Sequence, residues 1–307
     1  MGIADDLAQQ IMAEFEKMGK QPGSLEELNK VAAMVNQRYN DSPLPDFEGL
    51  SPSQMFQVNN FPFGDKCPVK IHQTLSEDQL LDSPLIHMAL NLLSKINESN
   101  GLKLTDKGNL PRKVVFDIYS FGYIGSMHYD DDIKPKVLNE TDYLPLHLCN
   151  LLLKVSGIIK MTKGKLVLTT SGKKCLNNSG KLFADMLLAF CTKFNKAYFD
   201  AFPNQEIGNL GVVYILYLLA KFGDQQRESS FYSDKYFKAF PMLKEEKDPK
   251  ANITPLINSN DFLVIRLFDR GFRLFGLIEA DHSRAGDNKN SYLVKTTRLF
   301  KSSIIVE

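Results

Sequence analysis

The sequence predicts a mainly α fold with small antiparallel β-hairpins, an α+β arrangement of tandem units behind a helical N-terminal region. Two observations carry this. The stretch from Leu144 to Leu176, LPLHLCNLLLKVSGIIKMTKGKLVLTTSGKKCL, reads as an apolar helix, a strand, a tight basic turn, a returning strand and a new helix. A shorter echo lies upstream, where LKLTDKG at 102–108 matches LVLTTSG at 166–172. Each follows an apolar helix containing Asn-Leu-Leu (91–93 and 150–152), the pattern of an internal repeat.

Composition sets the bounds. The chain has 307 residues, 43% hydrophobic and 24% charged, enough for two or three modest domains with real cores and too apolar for wholesale disorder. Cys67, Cys149, Cys175 and Cys191 form no CxxC pair, so neither a zinc site nor a disulfide framework is expected, and buried reduced thiols are. The polar start MGIADDLAQQ lacks a signal-peptide pattern. The apolar run Leu210 to Ala220 is about half of what a bilayer crossing needs. These readings predict a cytoplasmic protein with no membrane contact, no cofactor and no metal. The net charge of +1 hides an asymmetry: residues 1–141 carry 13 Lys+Arg against 20 Asp+Glu, and residues 142–307 carry 24 against 16. The basic half is suited to nucleic acid, or to an acidic half on this chain or a partner.

Taken in order, Ile3, Leu7, Ile11 and Phe15 recur at steps of four and predict an amphipathic helix ending near Gly19. Ser24 and Glu27 form a capping box for a second helix with Leu25, Leu28, Ala32 and Val35 on one face. Pro43 and Pro45 break the chain, and Ser51, Pro52 and Gln54 start a third helix. Phe61-Pro62-Phe63 reads as a loop anchored in the core. These elements make a helical N-terminal region, 1–80.

A first unit, 81–141, opens with Ser83 as cap and Pro84 at the first helical position, with Ile86, Ala89, Leu90, Leu93 and Ile96 facing inward. Leu102 and Leu104 alternate as a strand, and Pro111 opens a helix with Val114, Val115 and Ile118. The following polar segment holds His128, Asp130, Asp131 and Asp132, which read as a solvated loop because consecutive side chains splay apart. A second unit, 142–203, is the opening stretch plus a Phe/Leu-rich helix. In a C-terminal unit, 204–307, an apolar helix runs from Leu210 to Phe222. A charged surface segment follows, then a helix with Phe262, Ile265, Leu267, Phe268 and Phe272. Two strands, FGLIEAD and YLVKTT, close the unit around a polar tip at 282–290.

Helix, strand, turn, strand and a Thr-capped helix resemble the winged-helix domains of bacterial MarR-type and PadR-type regulators, which carry a similar L-T-x-x-G at the end of the wing. The resemblance covers Leu85–Tyr119, Leu144–Leu176 and, more weakly, Asn260–Ile304. LTDKGNL with the later IIKMTKGKLVLTTSG also looks like a group of uncharacterised bacterial proteins associated with plasmid and insertion-sequence passenger genes. The resemblance implies non-enzymatic binding of double-stranded DNA. One departure counts against the usual mode: LHLCNLLLKV, in the recognition position, is too apolar to lie in a groove.

The charges give the expected contact residues. Lys154 to Lys181 holds seven lysines and no acid. Lys160, Lys163 and Lys165 surround the turn, and Lys173 and Lys174 are expected in the first turn of the next helix, where cations oppose the dipole and invite an external anion. Arg112 and Lys113, and Arg284 and Lys289 at the last hairpin tip, are further candidates, and Arg266, Arg270 and Arg273 line one helix edge. A solvated lysine face is the competing reading. There is no P-loop, GxGxxG, HExxH or GxSxG, and His72, His87, His128, His147 and His282 are dispersed, so no catalytic residues are named. The alternative function is a protein–protein adaptor docking its partner through the acidic N-terminal half. A third, a hydrolase, would need a pocket with convergent polar groups.

Overall fold

Helical periodicity and caps account for most of the local structure in the computed structural model, which describes residues 3–72, 74–124, 138–200, 202, 204–244, 259–281 and 292–307. The fold is mainly α with small antiparallel sheets, as the sequence predicts. Helices α1 (Ile3–Lys17) and α2 (Leu25–Asp41) form a hairpin with its own small core of Phe15, Val31 and Val35. Ser24 caps α2 by accepting from the Glu27 amide, while the Glu27 carboxylate accepts from Gly23. Helix α3 (Pro52–Asn60) begins on a complete capping box of Ser51 and Gln54. Strand β1 (Val69–Ile71) follows. In the Phe61-Pro62-Phe63 loop, Phe63 packs half-buried against the core as an anchor, whereas Phe61 is exposed.

Helix α4 (Pro84–Glu98), β2 (Leu102–Lys103), α5 (Arg112–Ser120), α6 (Leu144–Val155), β3 (Ile159–Thr162), β4 (Lys165–Leu168) and α7 (Thr170–Cys175) come next. Strands from the two expected units 81–141 and 142–203 pair in one sheet, ordered β2-β4-β3, with Leu102 opposite Leu166. The likeness of LKLTDKG to LVLTTSG therefore belongs to two neighbouring strands of one ladder. Both present leucine to the same core, the expected consequence of a period of two. Helix α4 lacks the expected cap: the Ser83 hydroxyl is buried without a partner, and the Leu85 amide donates instead to the carbonyl of Leu274 at 3.0 Å.

After α8 (Ser179–Thr192) the same order of elements recurs. Helix α9 (Val212–Phe222), β5 (Arg227–Glu228), α10 (Ser229–Ala239), α11 (Ser259–Leu263) continuing as a π-helical segment Val264–Phe272, β6 (Ile278–Asp281), β7 (Leu293–Thr296) and α12 (Arg298–Ser303) build a second unit. Its sheet is ordered β5-β7-β6. The registers coincide: Ile159 faces Leu168 as Ile278 faces Thr296, and Lys103 faces Lys165 as Glu228 faces Leu293. Even the joints agree. Gly157 and Gly276 both have φ of +74° ahead of the hairpins, and Thr169 and Thr297 cap the helices behind them, accepting from the Gly172 and Phe300 amides. Strand β8 (Ile304–Val306) then pairs with β1, Val69 opposite Val306, tying the end of the second unit to the N-terminal region.

One apolar core runs through both units, from Leu50 to Ile304. Helix α8 contributes Phe183 and Phe190, whose rings meet Phe272 and Phe275 edge-on at 5.6–6.1 Å. Helix α10, expected on the surface, buries Tyr232, Tyr236 and Phe237. Among the described residues, no helix is long and apolar enough to cross a membrane.

Candidate nucleic-acid interface

The β3–β4 turn is set by two residues. Lys163 (φ 49°) and Gly164 (φ 73°) both adopt the left-handed conformation of a tight hairpin turn, which glycine takes without strain and lysine does not prefer. Side chains alternate along a strand, and residues directly opposite share a face. The pairs Lys103–Lys165, Thr162–Lys165 and Lys160–Val167 therefore line one face of the sheet, and Leu102, Ile159, Leu166 and Leu168 the other. The leucine face packs inward, whereas Lys103, Lys160 and Lys165 are exposed. Lys103 and Lys165 are like charges set directly opposite each other, an arrangement that costs stability unless an anion lies across it.

Among the described residues, Lys160, Lys163, Lys165, Lys173 and Lys174 make no ion pair. Lysines of the second unit do: Lys221 and Lys235 reach Glu48, the latter at 2.5 Å, and Lys238 reaches Asp46 at 3.1 Å. The acidic N-terminal region thus neutralises α9 and α10 and leaves the β3–β4 hairpin unpaired. Lys181 departs from the expected free set by pairing with Asp185 at 2.7 Å. Lys173 and Lys174 are exposed but lie in the last turn of a six-residue helix, not the first, so the expected dipole argument does not apply to them. Arg112 and Lys113 are exposed at the start of α5, and the Arg112 Nε donates to the Asn139 side-chain oxygen at 2.9 Å rather than to a carboxylate. Arg284, Lys289 and His282, like His128 and Asp130 to Asp132, lie outside the described residues.

The third helix of each unit is not available to a ligand. In α6, Pro145, Leu146, Leu148, Cys149, Asn150, Leu152 and Leu153 are buried, as the apolar sequence predicts. Its anchor is Glu140, a buried carboxylate that accepts from His147 Nδ1 at 2.8 Å, Asn150 Nδ2 at 2.7 Å and the Leu110 amide at 2.6 Å. Burial raises the pKa of that carboxyl, but these hydrogen bonds outweigh it and hold the group below the ordinary carboxylate range. His147 is thereby a structural histidine. In the second unit Arg266 is buried beside the stacked rings of Phe202 and Phe262 and grips Asp200 through Nε and Nη2, at 2.9 and 2.5 Å. Arg270 reaches Asp200 at 3.6 Å and Arg273 reaches Asp269 at 3.3 Å, so the expected arginine edge is spent on internal pairs. The sequence gives no sign of Asp200 as partner, because the bond spans 66 residues. All four cysteines are buried free thiols, and burial pushes Cys191 up to about 12.

A family model described as the Y4jL N-terminal domain matches residues 81–181, the stretch from α4 to the start of α8 that holds the basic hairpin. No curated protein and no solved structure matches the chain.

Proposed function

We propose that the chain is a non-enzymatic nucleic-acid-binding protein whose two units are winged-helix-like, and that the basic β3–β4 hairpin and its sheet face contact phosphate. The observation that carries this reading is the unpaired set Lys103, Lys160, Lys163 and Lys165, with like charges opposed across β2 and β4. Because both third helices are buried, base edges in a groove are not read by them. The contact is to the backbone, independent of sequence and steeply dependent on salt. Lysine, a compact point charge, suits phosphate better than base readout.

The test is fluorescence anisotropy of a labelled DNA duplex titrated with the protein at several salt concentrations. Log affinity should fall with log salt with a slope of about −0.9 for each phosphate contacted. Lys160→Glu/Lys165→Glu, both at exposed positions, should flatten that slope and remove most of the binding. Absence of binding at low salt, to this duplex and to a single strand of equal length, would sink the proposal.

A protein–protein adaptor is the second reading, and the α1–α2 hairpin supports it. The hairpin keeps a core of its own and exposes Met12, Met18, Leu25 and Met34. On this reading Met12→Glu/Met34→Glu abolishes partner capture by the full chain while leaving DNA affinity unchanged.

A further inference from the structure

The groove between the Phe63–Thr74 segment and α8 is lined by charges that are already satisfied: Lys70 donates to the Gly64 and Asp65 carbonyls, and Lys181 pairs with Asp185. The buried Lys196 amine, its pKa lowered to about 8 by burial, faces a backbone carbonyl and the Phe190 ring, with no access for a reactant. Helix α5 differs from both.

From β2 the chain passes the hairpin turn, where the Leu104 amide donates to the Gly164 carbonyl at 2.9 Å. A short turn closed by Thr105 and Asn109 then leads into α5. Arg112, Lys113, Phe116 and Ser120 are exposed on that helix and fall within an arc of about 100°. Phe116 is 48% exposed, and one turn before it stand two cations that no carboxylate within the described residues neutralises. At the end of the helix Phe121 is 58% exposed and stacks on Tyr123 at 5.4 Å and 14°, which stacks in turn on His87 at 5.6 Å and 12°. Phe116 and Phe121 are exposed aromatic rings, the first of them one helical turn from Arg112 and Lys113. The nearest acid on the helix, Asp117, is paired with Lys95 at 3.0 Å.

From this we infer that the preferred ligand of the basic face is single-stranded rather than duplex nucleic acid, with an unpaired base stacked on Phe116 and its flanking phosphates on Arg112 and Lys113. The inference rests on the nucleic-acid reading above and names its substrate class. In a duplex the faces of the bases are covered by their neighbours, so exposed rings gain nothing from it. A single strand offers one π-face per nucleotide, and the rise of one helical turn, about 5.4 Å, is close to the reach from a base to its own phosphate. A short apolar peptide would also cover these rings, but would not need Arg112 and Lys113.

The chain contains no tryptophan, so Phe116→Trp supplies a single reporter. The experiment titrates this variant, the parent and Phe116→Ala with an oligothymidylate and with a duplex of equal length. It reads anisotropy of the labelled DNA and tryptophan emission. Supporting results are tighter binding of the single strand, quenching of the tryptophan by the single strand alone, and a loss of roughly ten-fold or more in single-strand affinity for Phe116→Ala with duplex affinity unchanged. Equal affinity for both forms with Phe116→Ala neutral overturns this inference and leaves the phosphate reading standing. Failure of the parent to bind either form overturns both.

Discussion

The two units share element order, strand register and capping, yet the outer faces of their sheets carry opposite charge. Position by position, Lys103, Lys160 and Thr162 in the first unit correspond to Glu228, Glu279 and Asp281 in the second, where Lys295 also stands opposite Glu279 at the place of Val167. Although Arg227 and Thr296 stand where the first unit has Leu102 and Leu168, the central core-facing positions are apolar in both, Leu166 matching Val294 and Ile159 matching Ile278. Burial of those side chains holds the topology, and the solvated face is free to take either sign at little cost. One scaffold thus carries a basic sheet face in the first unit and a mainly acidic one in the second. The third helices differ as well: the first is fixed by a carboxylate–imidazole cluster, the second by an arginine that stays charged at any ordinary pH.

The sharpest break in the comparison falls on the second unit. Among the described residues, Arg266→Ala leaves the Asp200 carboxylate only the Phe202 amide at 3.2 Å and the more distant Arg270 at 3.6 Å, and removes donors from the Asn204 and Ile207 carbonyls. Loss of one partner of a buried pair costs about 3–5 kcal/mol, so urea unfolding should show a large fall in midpoint. A midpoint unchanged within error would mean that the pair is not the anchor.

In the first unit, Glu140→Gln keeps the shape but removes the charge that His147, Asn150 and the Leu110 amide hold. The expected cost at neutral pH is about 1–3 kcal/mol. The sign of the pH dependence follows from the direction of the shift. The folded carboxyl titrates below its ordinary value of 4.5, so its contribution is fully present above that value and is lost as pH falls through the lower, folded one. Urea midpoints of parent and variant should therefore run parallel above about pH 5 and converge in acid. Arg266→Ala, by contrast, should keep its deficit when the pH is lowered from neutral to 5.

Glu228→Lys/Glu279→Lys would make the second face basic like the first. If charge alone separates the two, the variant should bind DNA more tightly, with a salt slope steeper by about 1.8, two phosphates at about 0.9 each. An unchanged slope would mean that the first hairpin contributes more than charge, its tight Lys163-Gly164 turn being the obvious difference.

Much of the local structure was legible: the Ser51–Gln54 box, the Thr169 cap, the Lys163-Gly164 turn and the burial of α6 all follow from residue type and spacing. The pairing of β2 with β4 was not, because a two-residue strand has no periodicity to read and its partner lies some sixty residues away. The counterpart of LVLTTS at 166–171 is VKTTRL at 294–299, which shares the capping threonine but is less like it than LKLTDKG, a neighbour in the same sheet. The Ser83 cap failed for a tertiary reason, since Leu274 of the second unit supplies the acceptor. Within the candidate interface the lysines were visible, and so was the i,i+4 spacing that pairs Lys181 with Asp185, but the neutralisation of Arg266 and Arg270 required a partner only the fold brings near.

The smallest expected effect isolates the like-charge pair itself. Lys103→Met keeps most of the stem and removes the charge opposite Lys165. Relief of cross-strand repulsion should stabilise the protein by about 0.2–1 kcal/mol, seen as a higher melting temperature at low salt. The gain should shrink as salt screens the pair, since the Debye length falls to about 3 Å at 1 M. Glu228→Gln, at the matching position, stands opposite Leu293 and has no repulsion to relieve, so its melting temperature should scarcely move. A gain of equal size in both variants would trace the effect to strand propensity at that position. A gain confined to Lys103→Met, together with weaker DNA binding, would mean that the first unit holds two lysines together against their mutual repulsion at the place where the proposed ligand binds.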